Sequence, residues 1–404
     1  MIGLSFNVYA GNQYNDYLMA AQKELNAMVY SRLGSTQMNS IGSWIESAQF
    51  RFNSGSPASN IDIKKNALSY ELRLKPKAWG QRSIEKDIIN IHLKQQDLVY
   101  KKLLNDTLQK RYLKLIDYYQ QYNSLRNSLA SFEVLMQESV LIQSQVSSEQ
   151  FNPEDLLDTE EALKQNHSLL ELSRRRLYAI QSELGLPEDN IETMMNNSEM
   201  DWVLNVAEIQ QIISSFQEED PVSPDVLDAQ MKLQLSQSEH ELTEAKQQLA
   251  VNLLKFEYSD RVTDQMAFQV GINIPLGAGF ENSKDTHNLQ LAHTQLSNSK
   301  VNTRQSLSEI SRKIKWLSED WDMLVKQIER GKKHFQKDYA KSNPFLMINL
   351  RKHMLDNKQK QADLNLKALG LYVSYLTIKG RLTEQPLRNW IQQETPLLTQ
   401  AKMH

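Results

Sequence analysis

The residues in this chain best able to do chemistry are its histidines and its acidic pairs, and their spacing assembles no reactive group. His92, His167, His240, His287 and His293 are scattered, and none of the eight histidines forms a His-x-x-x-His pair beside an acid, the spacing that turns two imidazoles toward one metal ion on a helix. Glu160-Glu161 and Glu218-Glu219 lie in polar runs and read as solvated faces. With no cysteine, disulfides, thiolate zinc sites and thiol nucleophiles are excluded. No glycine loop able to cradle a phosphate, no nucleophile elbow and no dinucleotide fingerprint occurs. Neither an enzyme nor a cofactor or metal site is expected.

Charge removes a further class. The 404 residues carry a formal net charge of −3, and the densest basic spot, Arg174-Arg175-Arg176, falls inside a helical pattern. No basic arm or face is present to neutralise a nucleic-acid backbone. No run of about 18 apolar residues exists, so no transmembrane helix is expected, and any membrane crossing must use a closed barrel. Met1–Ala10 lacks a complete signal peptide, although Val8-Tyr9-Ala10 suits the small-residue end of a cleavage site; a missing leader and mature numbering both remain open.

The elements that could position a site are long. Only 13 Gly and 10 Pro punctuate the chain, too few turns for a fold of many short elements. Three landmarks recur in order, the signature of an internal duplication. A helical opening, Asn15-Asp16-Tyr17-Leu18, is matched by Pro224-Asp225-Val226-Leu227. A strand ending in Pro with Gly four residues on, Pro76 and Gly80, is matched by Pro275 and Gly279. An Asn-Pro helix start, Asn152-Pro153-Glu154-Asp155, is matched by Asn343-Pro344-Phe345-Leu346.

Between the second and third landmarks each copy has a helical period. Leu104, Leu108, Tyr112, Leu115, Tyr119, Tyr122, Leu125, Leu129, Phe132 and Met136 recur at steps of mostly three and four; Leu307, Ile310, Ile314, Leu317, Trp321, Leu324 and Ile328 do the same, continued by Phe335 and Tyr339. Gln81 to Val146 predicts one helix of roughly 100 Å. After the first break Leu156, Leu163, Leu170, Leu177 and Leu184 keep a strict seven-residue repeat, a coiled-coil seam. Asn caps a new helix and Pro fits its first position, so each Asn-Pro predicts a hairpin of antiparallel helices; a kinked continuous helix is the alternative.

Four segments switch to a period of two. Ala48, Phe50 and Phe52; Leu68, Tyr70, Leu72 and Leu74; Leu254, Phe256 and Tyr258; and Phe268, Val270, Ile272 and Ile274 each alternate with polar residues. Polar turns at Asn53–Lys64 and Ser259–Gln265 make them two β-hairpins. A lone hairpin is barely stable in water, so the greasy faces need a partner surface. Relative to Pro76 the apolar face sits at even offsets and relative to Pro275 at odd ones, which a bulge in the first copy or a coincidental Pro match would explain.

This order of elements, the run Val270-Gly271-Ile272-Asn273-Ile274-Pro275-Leu276-Gly277-Ala278-Gly279 and the returning helices ending at Leu184-Gly185 and Gly380-Arg381-Leu382 resemble the TolC-type outer-membrane factor family. The resemblance implies a mainly α fold of duplicated long helical hairpins, with two β-hairpins per chain pooled by a homotrimer into a 12-stranded barrel. It divides the chain into a first repeat (1–187: hairpin about 44–76, helical hairpin about 80–187), an equatorial segment (188–222), a second repeat (223–384: hairpin about 254–276, helical hairpin about 280–384) and a C-terminal equatorial segment (385–404). The implied function is an outer-membrane channel-tunnel reaching into the periplasm of a Gram-negative envelope. Its expected partners are membrane lipid, a periplasmic adaptor and an inner-membrane pump of ABC or RND type, and it would export small molecules or a secreted protein in a tripartite efflux or type I-like system.

Family members carry acids ringing the periplasmic entrance at the second Asn-Pro turn; here those positions fall near Leu346 and Asn349. The resemblance therefore makes Asn343, Pro344, Phe345, Leu346, Asn349 and Arg351 the entrance candidates and Asn152, Pro153, Glu154 and Asp155 the adaptor-contact candidates, with Pro76, Gly80, Pro275 and Gly279 as strand-to-helix junctions. An entrance lined by Phe345 and Leu346 would close by apolar contact and dewetting; alternatively these side chains pack the turn. A soluble periplasmic coiled-coil tether or adaptor is the competing reading of the whole chain.

Overall fold

The computed structural model describes residues 14–27, 44–55, 67–147, 151–186, 203–216, 223–247, 250–261, 263–273, 279–337 and 343–398. In chain order these form α1 (14–27), β1 (Ile45–Gly55), β2 (Ala67–Pro76), α2 (Gln81–Gln143), α3 (Pro153–Leu184), α4 (Val206–Phe216), α5 (Pro224–Gln247), β3 (Ala250–Arg261), β4 (Thr263–Asn273), α6 (Gly279–Phe335) and α7 (Pro344–Lys379), with a short 3-10 turn at Arg381–Thr383. Two compact units result, each drawing on both halves of the chain: 1–32, 101–223 and 303–404 make one, 33–100 and 224–302 the other.

The first unit is helical. α2 has 63 residues and α6 has 57, and both breaks are real helix starts: Asn152 and Asn343 are extended cap residues, Pro153 and Pro344 take the first helical position, and α3 and α7 each end on a left-handed glycine, Gly185 and Gly380. The returns are antiparallel. Going up α2 and down α3, Lys114 pairs with Glu183, Ser124 Oγ lies 3.3 Å from Ser173 Oγ, and the Phe132 and His167 rings sit 6.2 Å apart. All five leucines of the α3 heptad are buried or half-buried. The α2 stripe holds from Leu104 to Leu125 and then migrates: Met136 is exposed, and Val134 and Ile142 take the inner face. A straight helix turns 3.6 residues per turn, so an apolar face cannot stay on one three-four series for nine turns.

The middle of α2 is where the unit is best packed. Tyr112, fully buried, donates its hydroxyl hydrogen bond to the Arg388 carbonyl (2.8 Å) and accepts one from the Trp390 N–H (3.2 Å). Burial raises the Tyr112 and Tyr372 phenols well above their ordinary range. Asn389 reaches Asn15 on α1 (3.0 Å), the Leu204 N–H bonds the Ile391 carbonyl (3.0 Å), and Lys379 caps the α4 carbonyl of Phe216 (2.8 Å) while the Arg381 guanidinium stacks 3.9 Å from that ring. The packing around mid-α2 is thus supplied by α4 and residues 385–398. Trp202 lies outside the described residues.

The second unit carries one four-stranded antiparallel sheet, ordered β1-β2-β3-β4. Its register aligns the alternating residues into transverse rows on one face: Ala48-Leu74-Leu254-Val270, Phe50-Leu72-Phe256-Phe268 and Phe52-Tyr70-Tyr258-Met266. The strands outrun the expected turns. β1 continues to Gly55, and Ser259, Asp260 and Arg261 pair with Gln265, Asp264 and Thr263, so the polar stretch 259–265 is strand but for Val262, outside the described residues. Backbone pairing is indifferent to side-chain polarity, which is why composition placed those turns too early. Residues 56–66 of the first turn also lie outside the described residues.

Each hairpin carries one β-bulge, in its first strand. At Glu46 the register slips so that Ile45 meets Pro76; at Asn252 it slips so that Val251 meets Ile272. These twin shifts lie in β1 and β3, opposite the strands that lead to Pro76 and Pro275, so they do not account for the different parity of the two prolines. In β1 the shift returns Ile45 to the apolar face, where strict alternation would have placed Glu46.

Candidate functional site

The two Asn-Pro starts lie together in the helical unit. Asn152 Oδ1 accepts from the Glu154 N–H (3.1 Å) and its Nδ2 donates to Asp155 (3.1 Å); Asn343 Oδ1 accepts from the Leu346 N–H (3.1 Å). Each thereby satisfies a donor that a helix start otherwise leaves orphaned. A cavity of about 420 Å³ joins them, lined by Glu138 and Ile142 of α2, Asn152, Asp155 and Asp158 at the start of α3, and Phe345, Asn349 and Lys352 of α7. Lys352 pairs with Glu138 across it.

A second cavity of about 430 Å³ lies between α2, α6 and α7. Arg351 lines it, donating to Gln137 on α2 while its guanidinium stands 5.6 Å from the Phe335 ring on α6. Gly331 lets α7 approach: a Cβ there would meet Met354 Cγ at 3.2 Å. Phe345 and Leu346 are half-buried, Asn343, Pro344, Asn349, Arg351, Pro153, Glu154 and Asp155 exposed, and the residue that locks the turn inward is Ile348. Ile348 lies four residues after Pro344, about one helical turn into α7, and its apolar type at that spacing was the one available signal.

The junction candidates belong to the other unit. Pro76 closes β2, and Gly80 adopts a positive φ of 81°, which a side chain would strain, so that α2 can begin at Gln81. Gln81 fastens the start by accepting from the Ala78 N–H (2.9 Å) and donating to Glu85 (2.8 Å). Burial pushes the Glu85 carboxyl up, yet hydrogen bonds from Lys77 and Gln81 outweigh it and hold it below the usual range. Gly279 opens α6; Pro275 lies outside the described residues.

The sheet presents two unlike faces. On the polar one Glu71 is buried, bonded by Arg73 and by Lys255 (3.3 Å), which also reaches Glu257 (2.9 Å). On the other, Phe50 is 67 %, Phe268 59 %, Ile272 60 % and Met266 87 % exposed, with Ile45, Phe52, Tyr70, Phe256 and Val270 also exposed. Leaving nine such side chains to water forgoes on the order of 10 kcal/mol of burial. That is comparable to the whole stability of a domain. Among the described residues no helix is long and apolar enough to cross a membrane, and no three metal-ligating side chains converge.

No protein-family model and no curated protein matches the sequence. Solved structures do. The outer membrane protein VceC of Vibrio cholerae superposes with a TM-score of 0.58 at 11 % identity, over 90 % of this chain and 92 % of that one. The Campylobacter jejuni CmeC outer membrane channel gives 0.54 at 12 % over 93 % and 85 %, and CusC, described in terms of folding and transmembrane channel formation, gives 0.54 at 13 % over 90 % and 88 %. The chain has the TolC-type outer-membrane factor fold. Within that fold the Asn-Pro starts are the tips of the two helical hairpins, and Pro76 and Gly80 mark the passage from strand to helix.

Proposed function

We propose that this protein is an outer-membrane channel-tunnel of a Gram-negative envelope, closed by three copies and serving efflux. The observation that carries the reading is the four-stranded sheet with three transverse apolar rows exposed on one face and an ionic network on the other. Strands of 10–12 residues, tilted as in membrane barrels, match a lipid-facing band of about 25 Å. A four-stranded sheet leaves β1 and β4 with unpaired edges; joining β1 of one copy to β4 of the next removes both, and three copies give 12 strands. A soluble tether has no use for such a face.

The duplicated halves, first repeat and second repeat, then contribute one β-hairpin and one helical hairpin each. We place the periplasmic entrance at the hairpin tips, with Phe345 and Leu346 narrowing it by apolar contact and Asn349 and Arg351 on its exposed side. Asn152 to Asp155 offer the surface for a periplasmic adaptor, which links the tunnel to an inner-membrane pump and thus to its cargo. Extraction and light scattering test the assembly: the protein is expected to require detergent, to run as a trimer of 46.8 kDa chains and to open conducting pores in planar bilayers. A monomer that stays in solution without detergent overturns the proposal.

A further inference from the structure

Just beyond the last apolar pair of the first hairpin, Ile45 and Pro76, two tryptophans stand out into solvent. Trp44 is 76 % and Trp79 91 % exposed, the latter the most exposed of the large apolar side chains described. They are not on loose ends: the Lys77 N–H bonds the Trp44 carbonyl (2.9 Å), and the Gly80 turn and the Gln81 bonds fix Trp79 at the start of α2. Together with Lys77, Arg82, Ser83 and Lys86 they line a depression of about 430 Å³.

The charge around it is one-sided. Lys77 is engaged by Glu85, but Arg82 and Lys86 are exposed and have no acidic partner among the described residues. Lys246 of α5 adds a further amine close enough to act on Glu85. No acid belongs to the lining: of those nearby in sequence, Glu85 is bonded to Lys77 and Gln81, Glu46 pairs with Lys75 (2.8 Å), and Asp87 lies outside it. Indoles at the margin of an apolar band prefer the headgroup level of a membrane, where their rings meet acyl chain and their N–H meets polar groups. Unpaired arginine and lysine beside them favour phosphate oxygens.

We propose that this depression seats the headgroup phosphate of an anionic phospholipid of the periplasm-facing leaflet, with Arg82 and Lys86 binding the phosphate and Trp44 and Trp79 flanking its glycerol and upper acyl chains. The proposal rests on the outer-membrane reading and deepens it: it fixes the depth at which the sheet gives way to helix and makes that margin selective for lipid charge.

The test uses full-length protein reconstituted into phosphatidylcholine vesicles with or without phosphatidylglycerol, then stripped with detergent, the retained lipid being counted by mass spectrometry. The wild type is expected to retain phosphatidylglycerol several-fold over its share of the bilayer, and R82Q/K86Q to fall to parity. Lipids brominated near the headgroup are expected to quench part of the tryptophan emission, and W44F/W79F to lose that part. Heat-modifiable gel mobility reports whether each variant is folded in the bilayer.

If the wild type inserts but retains both lipids equally, or if R82Q/K86Q inserts and keeps the preference, the phosphate site is overturned while the channel reading stands. If shallow bromolipids quench W44F/W79F as they quench the wild type, the tryptophans are not at the headgroups, and a surface for a protein partner replaces the proposal. If the wild type itself does not insert, the outer-membrane reading falls first.

Discussion

Phe268 and Gln269 are neighbours on β4 that the register sends to opposite faces, which makes a charge placed at each a direct measure of what those faces touch. Phe268 lies in the middle apolar row with its ring 4.9 Å from that of Phe256, and it is 59 % exposed in the isolated chain. If that face meets lipid, F268K costs about 2–4 kcal/mol for a cation near the middle of the bilayer and about 1 kcal/mol more for the lost ring pair. If the face meets water, the same change costs less than about 1 kcal/mol, because the side chain is already largely solvated. Q269K joins the polar row opposite Lys255, whose amine is held by Glu71 and Glu257, so a like-charge cost of a few tenths of a kcal/mol is expected. The difference between the variants should therefore be about 3–5 kcal/mol. It can be read as the shift in guanidinium midpoint for folding into vesicles, followed by the heat-modifiable gel shift. Equal, small shifts for both variants would refute the argument that the apolar rows face lipid.

Three further outcomes follow from the helical unit. Y112F leaves the buried Trp390 N–H without its partner and takes the hydroxyl from the partly solvated Arg388 carbonyl, a loss of about 1–3 kcal/mol, and proteolysis within 385–398 should accelerate; unchanged stability would mean the segment is held elsewhere. The Tyr112 and Tyr372 phenols have native pKa values above the ordinary one near 10, so the native state keeps protons that the unfolded chain releases. Their contribution is complete below pH about 10 and declines above it by about 1.4 kcal/mol per pH unit for each group, and a denaturation midpoint that is flat from pH 9 to 11 would contradict this. N152A and N343A should each cost about 1 kcal/mol, with faster amide exchange confined to the first turns of α3 and α7; the N152A loss should be the larger because the bond to Asp155 goes too.

Much of the architecture was legible because it is periodic. A period of two gave the four strands and their single apolar face, while the rows across the sheet came only from its register; Asn-Pro gave both helix starts; the leucine heptad gave the α3 seam. What stayed hidden was aperiodic or distant. The bulges at Glu46 and Asn252 look like strand ends in one dimension, since a bulge breaks alternation in the same way as a terminus. The Asn389-Asn15 bond joins residues 374 apart, and nothing local in either announces it. At the tips the sequence picked out Phe345, Leu346, Asn152 and Asp155 as two separate groups. Phe345 shares a cavity with Asn152 and Asp155, and Arg351, read as an entrance residue, also ties α7 to α2 and α6. Trp44 and Trp79 passed unremarked because a lone tryptophan beside a strand carries no period.

The twin bulges have a geometric consequence. Each adds one residue to the first strand of its hairpin and sharpens the local coiling, and they sit 206 residues apart at equivalent places. A single chain therefore contributes two like corners, and if three copies close the proposed ring, six such corners recur around it, one in every second strand. In that proposed assembly the strand wall would repeat with near six-fold regularity although only three chains build it.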